Sequence, residues 1–462
     1  MNPIYEALPV FAQNVACSAA GFVRERQRFT RHFWRTLSEW EWTIAQCDDE
    51  LRAIQALRLA DLIDYARVHV PHYASIAPMQ RRRDPREAIA ATLAELPVIE
   101  KTTYRDDPDR FLSRERPRHR WIRGQTSGTT GTALRLWYST EALGEEYASV
   151  WRMRRRFGVS TSDPHLTFGG RMVVPFHESE PPFWRRDFAL NQTLFSLYHM
   201  NARNLPAYVD AVHGADAAYA QGYPSSLHLI ARALLDAGRP LPKGKLKAVF
   251  TSSETVLAPQ RAAIEEAFGA PLRDRYGASE FAVSMTGCRA GNLHLDMEYC
   301  IVEVEPHERG PGWVRGPLLV TGLANRATPF LRYRIGDIGT RLDGPCPCGR
   351  AGDVFESIDG RIEDYVVTPD GRVLGRLDHV FKTLVEIAEA QIVQLAVDRL
   401  VVYVVPKPSF GEASERALLR ELRARLGSEI AITVERVAEI ARQPNGKLRA
   451  VKSLISPRRN AA

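Results

Sequence analysis

Seven consecutive residues, Thr126-Ser-Gly-Thr-Thr-Gly-Thr132, lie between two β-prone segments and suit neither a stable helix nor a packed strand. Glycine admits left-handed turns and lets a ligand come close to the backbone, and the hydroxyls add short donors. Such a loop can wrap N–H and O–H groups around phosphate oxygens as an anion-binding nest. It is not a P-loop, because G-x-x-x-x-G-K-[ST] occurs nowhere in the chain. A flexible Ser/Gly connector has the same composition, so the meaning of the loop depends on what accompanies it.

From Met1 to about residue 120 the pattern is mostly helical, with Phe29, Phe33, Trp34, Trp40 and Trp42 supplying apolar surface. From Trp121 onward short strands, glycine-containing loops and amphipathic helices alternate. Leu246–Phe250 reads as a strand, Thr251–Glu254 as the loop after it, and Pro259–Phe268 as a helix stopped by Gly269. This alternation predicts an α/β fold: a large N-terminal domain built on mixed, largely parallel sheets. Its helical part is expected over residues 1–120 and its core over 121–362. A small α+β domain is expected over 363–462, with a hairpin at Val366–Leu374 around Pro369-Asp-Gly371. Strands at Leu400–Val405 and Ala431–Val437 and a helix at Ala413–Leu426, apolar along Leu418, Leu422 and Leu426, complete it. Ligands of parallel α/β folds collect at the carboxyl ends of strands. Thr126–Thr132, Thr251–Glu254 and Tyr276–Glu280 all fall at such ends.

The net charge of +7 raises the question of a nucleic-acid partner. The basic clusters Arg24–Arg35, Arg81–Arg83 and Arg152–Arg156 are interleaved with acids or sit in helix-like stretches, and they read as solvated faces. No aromatic and basic residues alternate on a strand platform, so no nucleic acid is expected. No apolar run approaches the length of a bilayer span, and no membrane partner is expected. Glu6, Gln13 and Asn14 interrupt any signal-like core, and six cysteines without an export signal should be reduced. A cytoplasmic enzyme is the expectation.

Five further segments follow the loop in order: Thr251-Ser-Ser-Glu-Thr255, Asp274-Arg-Tyr-Gly-Ala-Ser-Glu280, Arg332-Tyr-Arg-Ile-Gly-Asp337, Gly360-Arg-Ile-Glu-Asp364 and Gln443-Pro-Asn-Gly-Lys-Leu-Arg449. Their order and spacing resemble the adenylate-forming ligases, and within them the phenylacetate–CoA ligases and the capsule-biosynthesis (CapK-like) proteins. Gly222-Tyr-Pro-Ser225, Ala390-Gln-Ile-Val-Gln394 and Cys346-Pro-Cys-Gly349 add to the likeness, which runs from about Trp121 to Lys452. One such motif says little; six in register say much.

The resemblance implies ATP-dependent activation of a carboxylic acid to acyl-AMP with release of pyrophosphate. The developing charge on phosphate oxygens needs preplaced donors and cations. Thr126, Ser127, Gly128, Thr129, Thr130 and Gly131 would hold the triphosphate, with Thr129 counted in the catalytic set beside Lys447 and Glu280. Glu280 would ligate Mg²⁺, a hard cation that wants oxygen. Ser253, Glu254, Arg275, Tyr276, Gly277, Asp337 and Arg361 would bind ATP or AMP, Tyr276 against adenine and Asp337 on the ribose. Asp364 would be the hinge of a mobile small domain, and Lys447 would bridge carboxylate and α-phosphate. Coenzyme A is the expected acceptor; a carrier-protein thiol or an amine is the alternative. An inactive nucleotide-binding module is disfavoured because Glu280, Asp337 and Lys447 are all present.

The acid is expected to be aryl or another small organic acid. Its pocket is expected among Phe168, Gly169, Arg171, Tyr198, His199, Tyr223 and Ser225, which flank glycine-rich strand ends. Apart from these, Cys346-Pro-Cys348 with Cys288 and His294 offers a Cys₃His set of the kind that closes a structural Zn²⁺ site.

Overall fold

The computed structural model describes residues 3–115, 121–125, 134–175, 177–200, 203–359, 365–369, 373–375, 377, 379–382, 386–441 and 451–455. The chain forms two compact units, Met1–Gly124 with Arg135–Gly360, and Gln125–Leu134 with Arg361–Ala462.

The first unit opens with helices. Local chemistry fixes several of their starts: the Thr30 hydroxyl accepts from Phe33 N at 3.3 Å, the Asp84 carboxylate from Arg86 N at 2.8 Å, and the Ser139 hydroxyl from Ala142 N at 3.0 Å. Of the aromatics expected to pack here, Phe33 and Trp40 are buried while Trp34 and Trp42 stay exposed. Among the described residues no helix is long and apolar enough to cross a membrane.

The α/β expectation holds. A 13-stranded mixed sheet runs through the unit. Its parallel block is, in spatial order, Gln192–Phe195, His165–Phe168, Tyr219–Gly222, Ala248–Ser252 and Leu272–Gly277. Trp184–Asp187 pairs antiparallel on the outer edge. Beyond Leu272–Gly277 the sheet continues antiparallel through Ser284–Gly287, Leu293–Leu295, Val354–Asp359, Tyr333–Leu342 and Trp313–Gly322 to Cys300–Val304. The short Glu308–Gly310 also pairs with Trp313–Gly322.

From His165–Phe168 the chain goes outward to Gln192–Phe195, then returns to Tyr219–Gly222 on the other side and moves away through the next two strands. The order therefore reverses between His165–Phe168 and Tyr219–Gly222, where open α/β sheets make their crevice. These two strands also approach closely: a Cβ at Gly222 would stand 2.5 Å from the Phe168 carbonyl oxygen, so only glycine fits. The strand expected at Leu246–Phe250 runs two residues later, and the helix after it, Ala258–Phe268, ends at Gly269 with φ 60°.

In the second unit, Tyr365–Val367 and Val373–Gly375 pair as the expected hairpin. A four-stranded sheet has the order Ala431–Arg436, Arg399–Pro406, Ile387–Ala396, Val451–Ser453. The helix Glu412–Leu426 brings Leu418, Leu422 and Leu426 into the core. Gln394 is fully buried and its amide substitutes for a strand partner: Oε1 accepts from Val367 N at 2.9 Å and from the Ser453 hydroxyl at 3.1 Å, while Nε2 donates to the Val367 carbonyl. The Gln at the end of Ala390-Gln-Ile-Val-Gln394 thus clamps the hairpin to the sheet.

Candidate active site

Backbone strain marks the motif segments. Four non-glycine residues among those described have positive φ, and three of them lie in or directly beside motifs: Ser253 at 73°, Phe281 at 54° and Arg332 at 52°. Side chains other than glycine seldom take this region, and it persists where surrounding structure enforces it, often at functional sites. Ser253 lies in the loop after its strand, Phe281 follows Glu280 directly, and Arg332 opens the segment that ends at Asp337.

Tyr276 and Asp337 meet: the phenol donates to Asp337 Oδ2 at 2.7 Å. Burial first, and then the facing Asp337 carboxylate, raise the Tyr276 pKa well above that of a free phenol, so the hydroxyl keeps its proton. Glu280 is buried, with Oε1 3.3 Å from Lys101 Nζ and accepting from the Tyr333 hydroxyl at 3.3 Å. Both recorded contacts fall on one carboxylate oxygen. Arg275, two residues before Gly277 in the same strand, is fixed by Glu146 at 2.6 Å and donates to the Ser284 hydroxyl at 3.2 Å. Glu254 accepts from Ser225 N at 3.0 Å and from its hydroxyl at 3.1 Å, so it caps the helix Pro224–Asp236. Ser225 is thereby committed to Glu254. One strand position earlier than Arg275, the Asp274 carboxyl is pushed up to about 6 by burial, against the hydrogen bond it accepts from Thr251 at 2.8 Å.

A cleft of about 600 Å³ opens beside these strands. Gly169, Arg171 and Tyr223 of the expected acid pocket line it, together with Arg275 of the expected nucleotide set. Phe168 does not: it is fully buried, stacked on Phe195 at 4.6 Å in the core. His199 is also core, its ring nitrogens 2.7 Å from the Ser196 hydroxyl and 3.1 Å from the Pro175 carbonyl. The Tyr198 hydroxyl donates to the Gly170 carbonyl at 3.0 Å.

The reading of Arg152–Arg156 as a solvated face fails at its first residue. Arg152 is 3% exposed and donates to Glu298 at 2.7 Å, Asp296 at 2.6 Å and the Trp40 carbonyl at 3.1 Å. Arg154 lines the cleft, touching Tyr219 and Gln221. The signal lay in the helical period: Ala148 and Ser149, one turn before Arg152, are small and buried, which puts position 152 on the inward stripe. Lys101 and Tyr333, the partners of Glu280, come from outside any motif or from its second position and carry no spacing signal.

Cys288, His294, Cys346 and Cys348 converge, with one ligand atom from each lying within 4.8 Å of the others. Cys288 Sγ is 3.8 Å from Cys346 Sγ, and Cys348 Sγ is 3.3 Å from His294 Nε2. Burial, with the cations Arg350 and Arg156, pushes the His294 pKa down to about 3, which keeps the imidazole neutral. The Asn292 amide donates to Cys346 Sγ at 3.4 Å.

Thr126, Ser127, Gly128, Thr129, Thr130, Gly131, Arg361, Asp364 and Lys447 lie outside the described residues.

A family model described as the CapK C-terminal domain matches residues 366–454. Protein CapK of Staphylococcus aureus is 26% identical over 463 residues, covering 97% of this chain and 98% of that protein. Phenylacetate-coenzyme A ligase of Aromatoleum evansii is 24% identical over 328 residues, 69% of this chain and 72% of that one. Among solved structures, 2-hydroxyisobutyryl-CoA ligase with 2-HIB-AMP and CoA in the thioesterification state aligns at a TM-score of 0.58 and 20% identity, over 89% of this chain and 91% of its own. The same ligase in the postadenylation state with R3-HIB-AMP aligns at 0.52 and 20% identity, over 86% and 88%.

Proposed function

We propose that this chain, which has the fold of the adenylate-forming ligases and groups with CapK and phenylacetate-coenzyme A ligase among them, condenses a carboxylic acid with MgATP to acyl-AMP and passes the acyl group to coenzyme A. The observation that carries this reading is the Tyr276–Asp337 pair at the carboxyl edge of the sheet. A carboxylate whose rotamer is set by a protonated phenol is a preorganised acceptor for vicinal hydroxyls, and the Tyr276 ring supplies the flat wall that a purine needs.

Glu280 fits a magnesium ligand: it is buried, its charge is balanced by Lys101, and its recorded contacts leave Oε2 to meet a cation arriving with the nucleotide. When bound, Mg²⁺ would neutralise charge on the phosphate oxygens. The Thr126–Gly131 loop would supply backbone and hydroxyl donors to the same oxygens, and Lys447 the cation that bridges carboxylate and α-phosphate. Arg361 would contact the nucleotide, and Asp364 would let the small domain reorient between half-reactions.

The Cys₃His cluster fits a structural Zn²⁺. Zn–S bonds of about 2.3 Å in a tetrahedron put sulfurs roughly 3.8 Å apart, and Cys288 and Cys346 stand at 3.8 Å. Four protein ligands leave no open position, so its role would be to hold the turn of Cys346 and Cys348 against Cys288 and His294.

Pyrophosphate exchange with ATP and a panel of acids, followed by thioester formation with coenzyme A, tests the function. Acid-dependent exchange is expected. A protein that binds ATP but exchanges with no acid overturns the ligase reading, and exchange without thioester moves the acceptor to a carrier-protein thiol or an amine.

A further inference from the structure

Arg154 sits in the last turn of the helix Thr140–Arg155 and is among the residues that line the cleft. Nη1 donates to the Tyr219 hydroxyl at 3.4 Å and Nη2 to the Gln221 amide oxygen, and Nε has no hydrogen-bond partner. The rings of Trp151, Tyr219 and Phe250 lie 4.9, 5.3 and 5.5 Å from its central carbon. Among the described residues no carboxylate comes within ion-pair distance of it. Glu146, the acid in the cleft lining, is engaged by Arg275 at 2.6 Å. Its neighbour His165, stacked on Tyr219, is held neutral, its pKa pushed down to about 3 by burial and by Arg154 itself.

A directional chain of hydrogen bonds fixes the surface around this cation. Gln192 Nε2 donates to Asp187 at 2.8 Å, Thr167 Oγ1 to Gln192 Oε1 at 3.0 Å, Gln221 Nε2 to Thr167 Oγ1 at 3.0 Å, and Arg154 to Gln221 Oε1. Asp187 can only accept and Arg154 can only donate, so the orientation of every amide and hydroxyl between them is determined. Thr167, Gln192 and Gln221 all line the cleft. This wall is polar and ends in a cation that the protein pairs only with neutral dipoles and rings. An uncharged tail laid over Arg154 would bury a cation with no anion to meet it.

We propose that Arg154 is a specificity-determining residue that receives a second carboxylate at the far end of the substrate, so that the acid activated is a dicarboxylate. This rests on the ligase reading above. With the reacting end at Tyr223 and Ser252, on the carboxyl edge, the far end points back along the strand toward Tyr219. Three residues of strand separate Tyr219 from Gly222, roughly 10 Å, which an extended aliphatic diacid can span.

The experiment uses the full chain with MgATP and two matched series: succinate through suberate, and the ω-amides of the same acids. Pyrophosphate exchange gives kcat/KM, and calorimetry gives binding. A preference for one diacid over its ω-amide of about ten- to a hundredfold is expected, as for a charge-assisted hydrogen bond. Arg154→Gln should bring that ratio to about one. Gln221→Glu, which supplies from the protein the carboxylate that the substrate would bring, should do the same and covers the case in which Arg154→Gln fails to fold. A wild-type ratio near one, or a ratio unchanged in Gln221→Glu, overturns the inference while leaving acid activation standing. If neither series binds or exchanges, and no other acid does, the ligase reading falls and takes the inference with it.

Discussion

The Tyr276 hydroxyl donates to Asp337 across 61 residues of sequence, at 2.7 Å, and so joins two strands that are not neighbours in the sheet. The pair sets the acceptor, so the two residues should fail differently. Asp337→Ala, which removes the acceptor, is expected to weaken ATP binding about ten- to a hundredfold. Tyr276→Phe, which removes only the phenol's hydrogen bond to Asp337, should weaken it about fivefold, the worth of one ordinary hydrogen bond. Calorimetric titration with ATP reads both; unchanged affinity in Asp337→Ala removes the ribose assignment.

Lys447→Ala is expected to lose adenylation by orders of magnitude while ATP binding and thermal stability stay close to wild type, because the cation matters in the transition state rather than the ground state. The residue lies in a Pro-Asn-Gly turn sequence, where truncation should cost the fold little. Single-turnover acyl-AMP formation is the readout, and near wild-type rates would retire the assignment.

Purified protein should carry about one zinc per chain if the four ligands act together. Cys346→Ser with Cys348→Ser should release it and lower the melting temperature, since metal-binding energy at such a site is folding energy. Elemental analysis decides: metal-free protein that is stable and active returns the cluster to ordinary core, and a double variant that keeps its zinc shows that other residues bind it.

Asp274 gives the stability a pH dependence of its own. Burial lifts its carboxyl from 3.8 to about 6, so the folded chain holds this proton more tightly than the unfolded one. Its stabilising contribution is full below 3.8, declines as pH rises, and becomes a constant penalty above about 6. Asp274→Asn keeps an acceptor for Thr251 and removes the penalty. Denaturant unfolding should show a gain of about 3 kcal/mol at pH 7 and almost none at pH 3. Equal gains at both pH values would indicate packing rather than charge.

How much of this could be read from the sequence divides along physical lines. The apolar stripe Leu418, Leu422, Leu426 and the left-handed Gly269 follow from local periodicity and backbone freedom, and both appear as expected. The Cys-x-Cys turn announced a cluster that chain spacing alone could describe. The wall of the cleft was less legible. His199 and Phe168 flank the right strand ends but point into the core, because a strand's two faces are assigned by the sheet and not by nearness to a motif. Arg154 and Gln221 lie 67 residues apart and neither belongs to a motif of the expected kind. Their pairing exists only because the helix Thr140–Arg155 is docked over the strand that carries Gln221, and no local rule encodes that.

The buried anchor at Arg152 has an evolutionary corollary. Arg152 ties its helix to Asp296, Glu298 and Trp40, and removing one partner of such a network costs about 3–5 kcal/mol, so this position is closed to change. Arg154, two residues on, lines the cleft and takes no part in that ion-pair network. Helix placement and side-chain choice are thereby uncoupled within a single turn. On the proposed reading, a descendant lineage could retune which acid it accepts by drifting at 154 and 221 while Arg152 and its partners stay frozen, so in proteins built this way the substrate should diverge sooner than the architecture.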